Sequence, residues 1–314
     1  MKAAARRYDS GVEPLITARD VERSFGEQRA LAGLSLEVHA GEIFGLVGPD
    51  GAGKTTAIRV LSGLIGIQGG QVRVFGCDPL TASRVRDDLG VMPQHYSLYG
   101  DLSVEENLRF FARMYGLSSR DYRARAPRLL ALTRLAPFME RRARALSGGM
   151  YKKLALACAL LHEPSALLLD EPTNGVDPVS RRELWELLHE FVAQGMAVLI
   201  STAYMDEAAR CHRVCLMANG RGIATGSPDR LVRDLEHPVF EVRGGDRSVL
   251  RHLVESHSGV LAASPTGERL RIVVHRDEAD AVEELVTRHG ARLERVAADF
   301  EDLFLVRTTH GEAS

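Results

Sequence analysis

The sequence predicts an α/β fold: a largely parallel sheet with helices between its strands, followed by a smaller α+β unit. Three observations predict it. Short apolar, β-prone runs ("EIFGLVG", "ALLLD", "AVLIST" and "RVCLMA") alternate with longer stretches whose apolar residues recur at helical spacing. The glycine-rich segment "GPDGAG" joins the first of these runs to a helix, so its glycines stand at a strand-to-helix turn. From about Pro238 the pattern changes to strand, helix, two strands, helix, strand.

Composition narrows the classes open to such a chain. The 314 residues are 45% hydrophobic, enough for a substantial core, and carry a formal net charge of -2. That balance gives no whole-surface attraction to nucleic acid or anionic lipid, so any partner must be argued from local features. Cys77, Cys158, Cys211 and Cys215 are irregularly spaced, which suits reduced thiols better than a disulfide framework. The segment "CHRVC" has no second Cys/His pair and fits no familiar zinc spacing. The longest apolar runs, such as "LALACALL", fall far short of the roughly 20 residues that span a bilayer. A role at a membrane would need another chain to cross it.

Taken in order, residues 1–14 ("MKAAARRYDSGVEP") are basic but lack the apolar run of a secretory signal, and are expected to form a loose arm. Leu15 to Val38 alternates apolar and polar residues around the turn signals "SFGEQ" and "LAGLS", as a small antiparallel sheet does. The buried strand "EIFGLVG" and the helix "GKTTAIRVLSGL" follow. Thr81 to Leu146 is expected to be mostly helical, within a helical subdomain over about 81–162. There "SVEENLRFFARMYG" opens with a capping box, Ser103 with Glu106, and closes on Gly116. The arginines of this region lack interleaved stacking aromatics and lie between apolar helix positions. They fit a solvated or partner-facing surface better than a nucleic-acid contact. A helix from "GGMYKKLALACALL", the strand "ALLLD", the helix "SRRELWELLHEFVAQ" and the strands "AVLIST" and "RVCLMA" complete a unit expected over 15–235. Over 238–310, "VFEVR", "DRSVLRHLVESH", "GVLAASPTGERLRIVVH", "DEADAVEELVTRHG" and "ARLERVA" give the order βαββαβ, which suggests a ferredoxin-like domain.

The chemistry concentrates in three motifs. "GPDGAGKT" comprises Gly48, Pro49, Asp50, Gly51, Ala52, Gly53, Lys54 and Thr55, with Thr56 following, and fits the phosphate-loop pattern. Backbone N–H groups of such a loop converge on phosphate oxygens while the helix N-terminus adds its dipole. Lys54 would neutralise the β and γ phosphates of ATP, and the Thr55 hydroxyl would hold Mg²⁺. "ALLLDEP" ends a buried strand on Asp170 and Glu171; the first suits a metal held through water, the second suits polarising the attacking water. "LSGGM" places Ser147 as an N-cap, with Gly148 and Gly149 opening an apolar helix.

In this order the motifs make about Leu15 to Ser227 resemble the nucleotide-binding domain of an ATP-binding cassette (ABC) ATPase. The resemblance implies a P-loop NTPase fold with a RecA-like core, an antiparallel β subdomain and a helical subdomain. It implies two cassettes packed head to tail, as a homodimer or with a different cassette. Ser147, Gly148 and Gly149 of one would then donate to a γ-phosphate held by the other. Gln94 in "QHYSLYG" matches the glutamine that contacts Mg²⁺ and links the site to a membrane subunit. Phe25 matches the aromatic on which adenine stacks, although a core or loop aromatic would read the same. Asp177 in "GVDP" matches the aspartate loop that couples the two sites.

Two positions depart from the family's commonest form. Asp50 adds a carboxylate close to the phosphates, where asparagine, serine or threonine is more usual. Ala203 in "STAYMDEA" stands where a histidine normally contacts the γ-phosphate and orients the attacking water. Tyr204 is next in line, but adjacent positions usually point in different directions. Losing a well-placed transition-state donor costs on the order of 10²- to 10³-fold, so slow hydrolysis is expected rather than none. "DLSVEENLRFFARMYGL" and "VAADFEDLFLVRT" both resemble the exporter branch that includes drug-resistance ATPases with ABC-2 type membrane subunits. The implied role is a cytoplasmic ATPase subunit, peripheral on the membrane and docked on a separate permease beside "QHYSLYG". The alternative is an ATP-gated clamp with little turnover. Soluble cassettes acting on DNA or ribosomes typically carry tandem cassettes or a long coiled coil, so no nucleic acid is expected.

Overall fold

The structure is a computed structural model that describes residues 13–95, 98–267 and 269–310. The expected arm over 1–14 falls almost entirely outside the described residues, as do Tyr96 and Ser97 of "QHYSLYG". In chain order the elements begin β1 (Ile16–Phe25), β2 (Gln28–Val38), β3 (Ile43–Val47), α1 (Lys54–Leu61), β4 (Gly69–Val74), α2 (Ser83–Asp88) and β5 (Leu89–Met92). They continue with α3 (Val104–Met114), α4 (Ser119–Leu132), α5 (Gly148–Leu160), β6 (Ala166–Asp170), α6 (Pro178–Val192), β7 (Ala197–Thr202), α7 (Met205–Ala208), β8 (Arg213–Ala218) and β9 (Arg221–Gly226).

The central sheet has six strands in the order β5-β6-β7-β3-β8-β9, parallel from β5 through β8. β3, β6 and β7 are buried at every residue, which is why they read as unbroken apolar runs instead of alternating. Register puts Val47 beside Thr202 and Asp170 beside Ser201. The carboxyl ends of β3, β7 and β6 therefore lie side by side, the place where open α/β sheets meet ligands. β1, β2 and β4 form a separate antiparallel sheet in the order β2-β1-β4, whose apolar faces join α1 in one core.

The helices start and stop where their sequence signals stand. Ser103 and Glu106 make the reciprocal capping box on α3, and Gly116 takes the left-handed φ of +69° just after it. Ser147 caps α5 through the amide of Met150, and Asp177 caps α6 through the amides of Val179 and Ser180. α5 is buried from Lys153 to Leu160, apolar on nearly every side, as a helix enclosed by its neighbours must be.

Three strands lie where no strand was expected. β5 falls inside the stretch read as helical, and its four residues "LGVM" pair with β6 in the parallel sheet, so 81–162 is not helical throughout. So short a run carries no period of its own; pairing with a fully buried neighbour decides its state. β4 completes the antiparallel sheet, and β9 forms an edge of the central one.

Contacts divide the chain into units Met1–Gly222 and Ile223–Ser314, with the division inside β9. The second unit thus begins upstream of Pro238, because α8 (Pro228–Arg233) packs on the C-terminal helix. It contains β10 (Val239–Gly244), α9 (Arg247–Glu255), β11 (Val260–Thr266), β12 (Arg269–Val274), α10 (Ala279–Arg288), β13 (Ala291–Val296) and α11 (Phe300–His310). The sheet order β11-β12-β10-β13, antiparallel throughout, is the ferredoxin-like arrangement. Val254, Ile272, Val274, Val282 and Val286 fill its core, and Arg271 grips Asp302 of α11 with two bonds of 2.8 and 2.7 Å.

Candidate nucleotide site

The loop after β3 is shaped by close backbone approach. A Cβ on Gly48 would lie 2.3 Å from the Met217 carbonyl oxygen, and one on Gly53, at φ +102°, 2.4 Å from the Ala30 oxygen. Neither position admits a side chain. Gly48 N–H donates to the Thr202 carbonyl at 3.2 Å, and Ala52 N–H to Pro49 at 3.2 Å, so the loop is anchored to the end of β7 and closed on itself. Lys54 opens α1 and is only 4% exposed. Its ammonium donates to the carbonyls of Gly48 at 2.8 Å and Pro49 at 2.9 Å and lies 3.6 Å from the Glu171 carboxylate. Asp50 stands out in solvent, 4.0 Å from the same ammonium, while Gly51 takes φ +82° at the tip. Thr56 follows, half-buried, in the first turn of α1.

At the end of β6 both carboxylates are buried, Asp170 2% and Glu171 7% exposed. Asp170 Oδ1 accepts from Ser201 Oγ at 2.6 Å and from Thr55 Oγ1 at 3.2 Å. Glu171 sits at φ +46°, a left-handed backbone unusual for this residue type. Its amide donates to both the carbonyl (3.2 Å) and the hydroxyl (3.0 Å) of Ser201, which hold the turn. Glu171 Oε2 accepts from Gln94 Nε2 at 2.8 Å and Asn174 Nδ2 at 3.2 Å. Five residues expected from sequence, Lys54, Thr55, Gln94, Asp170 and Glu171, are therefore joined in one network. A hydroxyl, an amide and a carboxylate converge beside a buried ammonium; this hard oxygen set fits Mg²⁺ together with a polyphosphate.

The other expected residues lie outside that network. Phe25 is 47% exposed at the end of β1, with the Arg23 guanidinium 4.9 Å over its ring. Ser147, Gly148 and Gly149 start α5 against the beginning of α6: a Cβ on Gly149 would meet Ser180 Oγ at 2.3 Å and Asp177 Oδ2 at 3.3 Å. Among the described residues no hydrogen bond joins the three to Lys54, Asp170 or Glu171. Asp177 is spent as the cap of α6, whose amides hold its carboxyl below the ordinary range.

Sequence reasoning missed several groups that complete the site. Ser201 and Asn174 were unmarked, and so was Lys152, whose ammonium lies 3.4 Å from the Gln94 carbonyl. Burial lowers the Lys152 pKa, against the opposing pull of Glu171 and Asp170. Past β7, the fully buried Glu207 accepts from Thr202 Oγ1 at 2.7 Å, Thr173 Oγ1 at 3.0 Å and Trp185 Nε1 at 3.3 Å, with Arg181 3.6 Å away. Ala203 follows Thr202 in the chain, and the amide of Tyr204 donates to Thr202 Oγ1 at 3.0 Å. Cys211 and Cys215 are buried thiols, and burial pushes Cys211 up to about 12. A cavity of about 740 Å³ between α4, α5 and α6, lined by Leu129, Phe191 and Met196 among others, shares no residue with the network.

Comparison with known proteins places this geometry. Residues 31–174 match the ABC transporter family model. The Nod factor export ATP-binding protein I of Ralstonia nicotianae is 38% identical over 94% of this chain and 94% of its own length. The chain belongs to the ABC transporter family of ATP-binding proteins. The same export protein of Paraburkholderia xenovorans is 40% identical, with 93% and 96% coverage. The probable multidrug ABC transporter ATP-binding protein YbhF of Escherichia coli is 38% identical over 93% of this chain, which spans about half (52%) of that relative's length. Among solved structures, an ATP-binding subunit of an ABC transporter matches the cassette with TM-score 0.64 and 32% identity, covering 70% of this chain and 92% of that one. The dimeric cassette MJ0796 matches with TM-score 0.61 and 25% identity, covering 68% and 98%. No helix among the described residues is long and apolar enough to cross a membrane.

Proposed function

We propose that the chain is the ATP-hydrolysing subunit of an exporter, driving a separate ABC-2 type membrane permease from its cytoplasmic face. The observation that carries the reading is the network at the ends of β3, β6 and β7, in which Lys54, Thr55, Gln94, Asp170 and Glu171 meet within hydrogen-bond or ion-pair distance. The backbone of Gly48 to Gly53 and the Lys54 ammonium hold the phosphates, and Thr55, Asp170 and Gln94 supply oxygens for Mg²⁺. When bound, the metal supplies charge neutralisation and orientation of the phosphates. Glu171 takes the proton of the attacking water, held in place by Gln94 and Asn174. Phe25 offers its exposed ring to adenine. Among the described residues, Ser147, Gly148 and Gly149 make no bond to their own chain's network, which suits donation to a nucleotide bound by a second cassette, with Asp177 beside them. The relatives named for multidrug and Nod factor export support the direction of transport.

The test is steady-state ATP hydrolysis by the purified chain against Glu171→Gln, with transport measured in vesicles containing the native membrane partner. A parent at least about a hundredfold faster than the variant agrees with a general base at 171. A second reading is favoured by Ala203 alone: an ATP-gated clamp that binds and releases with little turnover. A parent that binds ATP but is no faster than Glu171→Gln decides for the clamp.

A further inference from the structure

We propose that Tyr204, acting through Asn174, orients the Glu171 carboxylate and takes over the positioning task left open by the alanine at 203. The inference rests on the reading of Glu171 as the base. The Tyr204 hydroxyl donates to Asn174 Oδ1 at 3.5 Å, and Asn174 Nδ2 donates to Glu171 Oε2 at 3.2 Å. The amide is thus an acceptor on one side and a donor on the other, the polarity a relay ending on a carboxylate requires. Tyr204 is itself held at two points, backbone and ring. Its backbone amide is bound to Thr202 Oγ1 at 3.0 Å, the Arg181 guanidinium lies 4.3 Å over its ring, and Arg181 is held by Asp206 at 3.7 Å and Glu207 at 3.6 Å. Tyr204 reaches the base through Asn174, in the turn after β6. Together with Gln94 on the same oxygen, Asn174 leaves Glu171 two donors that select one rotamer, while Oε1 faces Lys54.

Tyr204 is accordingly a positioning residue, and its effect belongs in kcat and not in nucleotide affinity. The experiment measures ATP hydrolysis and ATP binding by the full purified chain for the parent, Tyr204→Phe, Asn174→Ala, the double variant and Tyr204→Phe with Ala203→His. Tyr204→Phe keeps the ring under Arg181 and removes only the donor. It is expected to lower kcat about two- to threefold, the worth of a long and partly exposed hydrogen bond, with KM and ATP affinity within about 1.5-fold of the parent. The double variant is expected to be no slower than Asn174→Ala, because the two act in series. Ala203→His is expected to restore the Tyr204→Phe rate. A parental kcat in Tyr204→Phe, or multiplying effects in the double variant, overturns the relay while leaving the ATPase intact. A parent without turnover overturns the assignment of Glu171 and the relay with it.

Discussion

The ends of β6 and β7 are neighbours in one sheet, with Asp170 beside Ser201, yet they divide structure and chemistry differently. At β6 the same two side chains do both: Asp170 and Glu171 are buried, hydrogen-bonded and the candidates for metal and proton. At β7 the tasks are separate. Ser201 ties down Asp170 and the Glu171 amide, Thr202 ties down Glu207, and the side chain at 203 is a methyl group that can make no hydrogen bond. Where one residue serves both purposes a substitution changes both; where they are split, the reactive group can vary over an intact scaffold.

That contrast is open to a graded set of tests. The largest effect is expected from Glu207→Ala, which leaves Arg181 with Asp206 alone and Thr173, Thr202 and Trp185 without their shared acceptor. Breaking such a buried group costs about 3–5 kcal/mol, read as a lower denaturant midpoint at unchanged slope. Stability close to the parent would mean that the β7 end is not scaffolded by Glu207. Ser201→Ala comes next, at about 1–3 kcal/mol, because a fully buried hydroxyl that both donates to Asp170 and accepts from Glu171 is lost. Thermal unfolding reads it, and a gain in stability would break the comparison. Ala203→His is expected to leave stability within about 0.5 kcal/mol while raising turnover about two- to tenfold. A large loss of stability there would show that position 203 is part of the scaffold after all.

The smallest effect serves as a control remote from both strand ends. His162 donates from Nε2 to the Leu89 carbonyl at 3.3 Å and stacks on Tyr115, ring centroids 4.1 Å apart. Burial holds its pKa below the ordinary value near 6.5, outweighing the Leu89 carbonyl and Asp88, which pull it up; Arg125 adds to the lowering. The neutral ring is the folded form, so its share of stability is present above about pH 6.5 and is lost as the pH falls through the lowered folded value. His162→Gln should flatten the decline in unfolding midpoint between pH 7 and pH 5. An unchanged decline would assign it to other groups.

How much of this was legible in the sequence follows from distance along the chain. The phosphate loop, the two carboxylates and the glycines of "LSGGM" each lie in a contiguous motif that carries its meaning in a few residues. β3, β6 and β7 announce themselves as unbroken apolar runs. β5 does not, since four residues after a polar helix become a strand only because β6 is there to pair with. Ser201, Asn174 and Glu207 were equally silent. A serine 31 residues from Asp170, or a glutamate in a four-residue helix, has no local signature of burial; only the fold brings it to its partner. Ala203 was legible as a departure, whereas the Tyr204–Asn174 contact beside it needed three-dimensional placement.

The knot around Glu207 also bears on what can be exchanged at the end of β7. Because Thr202, Thr173 and Trp185 find their acceptor in Glu207 and not in residue 203, that position is a socket whose plug can be exchanged. On the proposed reading, an exchange there would change the rate of hydrolysis and leave the fold as it is. Asp170 and Glu171 are themselves buried and hydrogen-bonded, so an exchange at that strand end would disturb the scaffold together with any chemistry it carries.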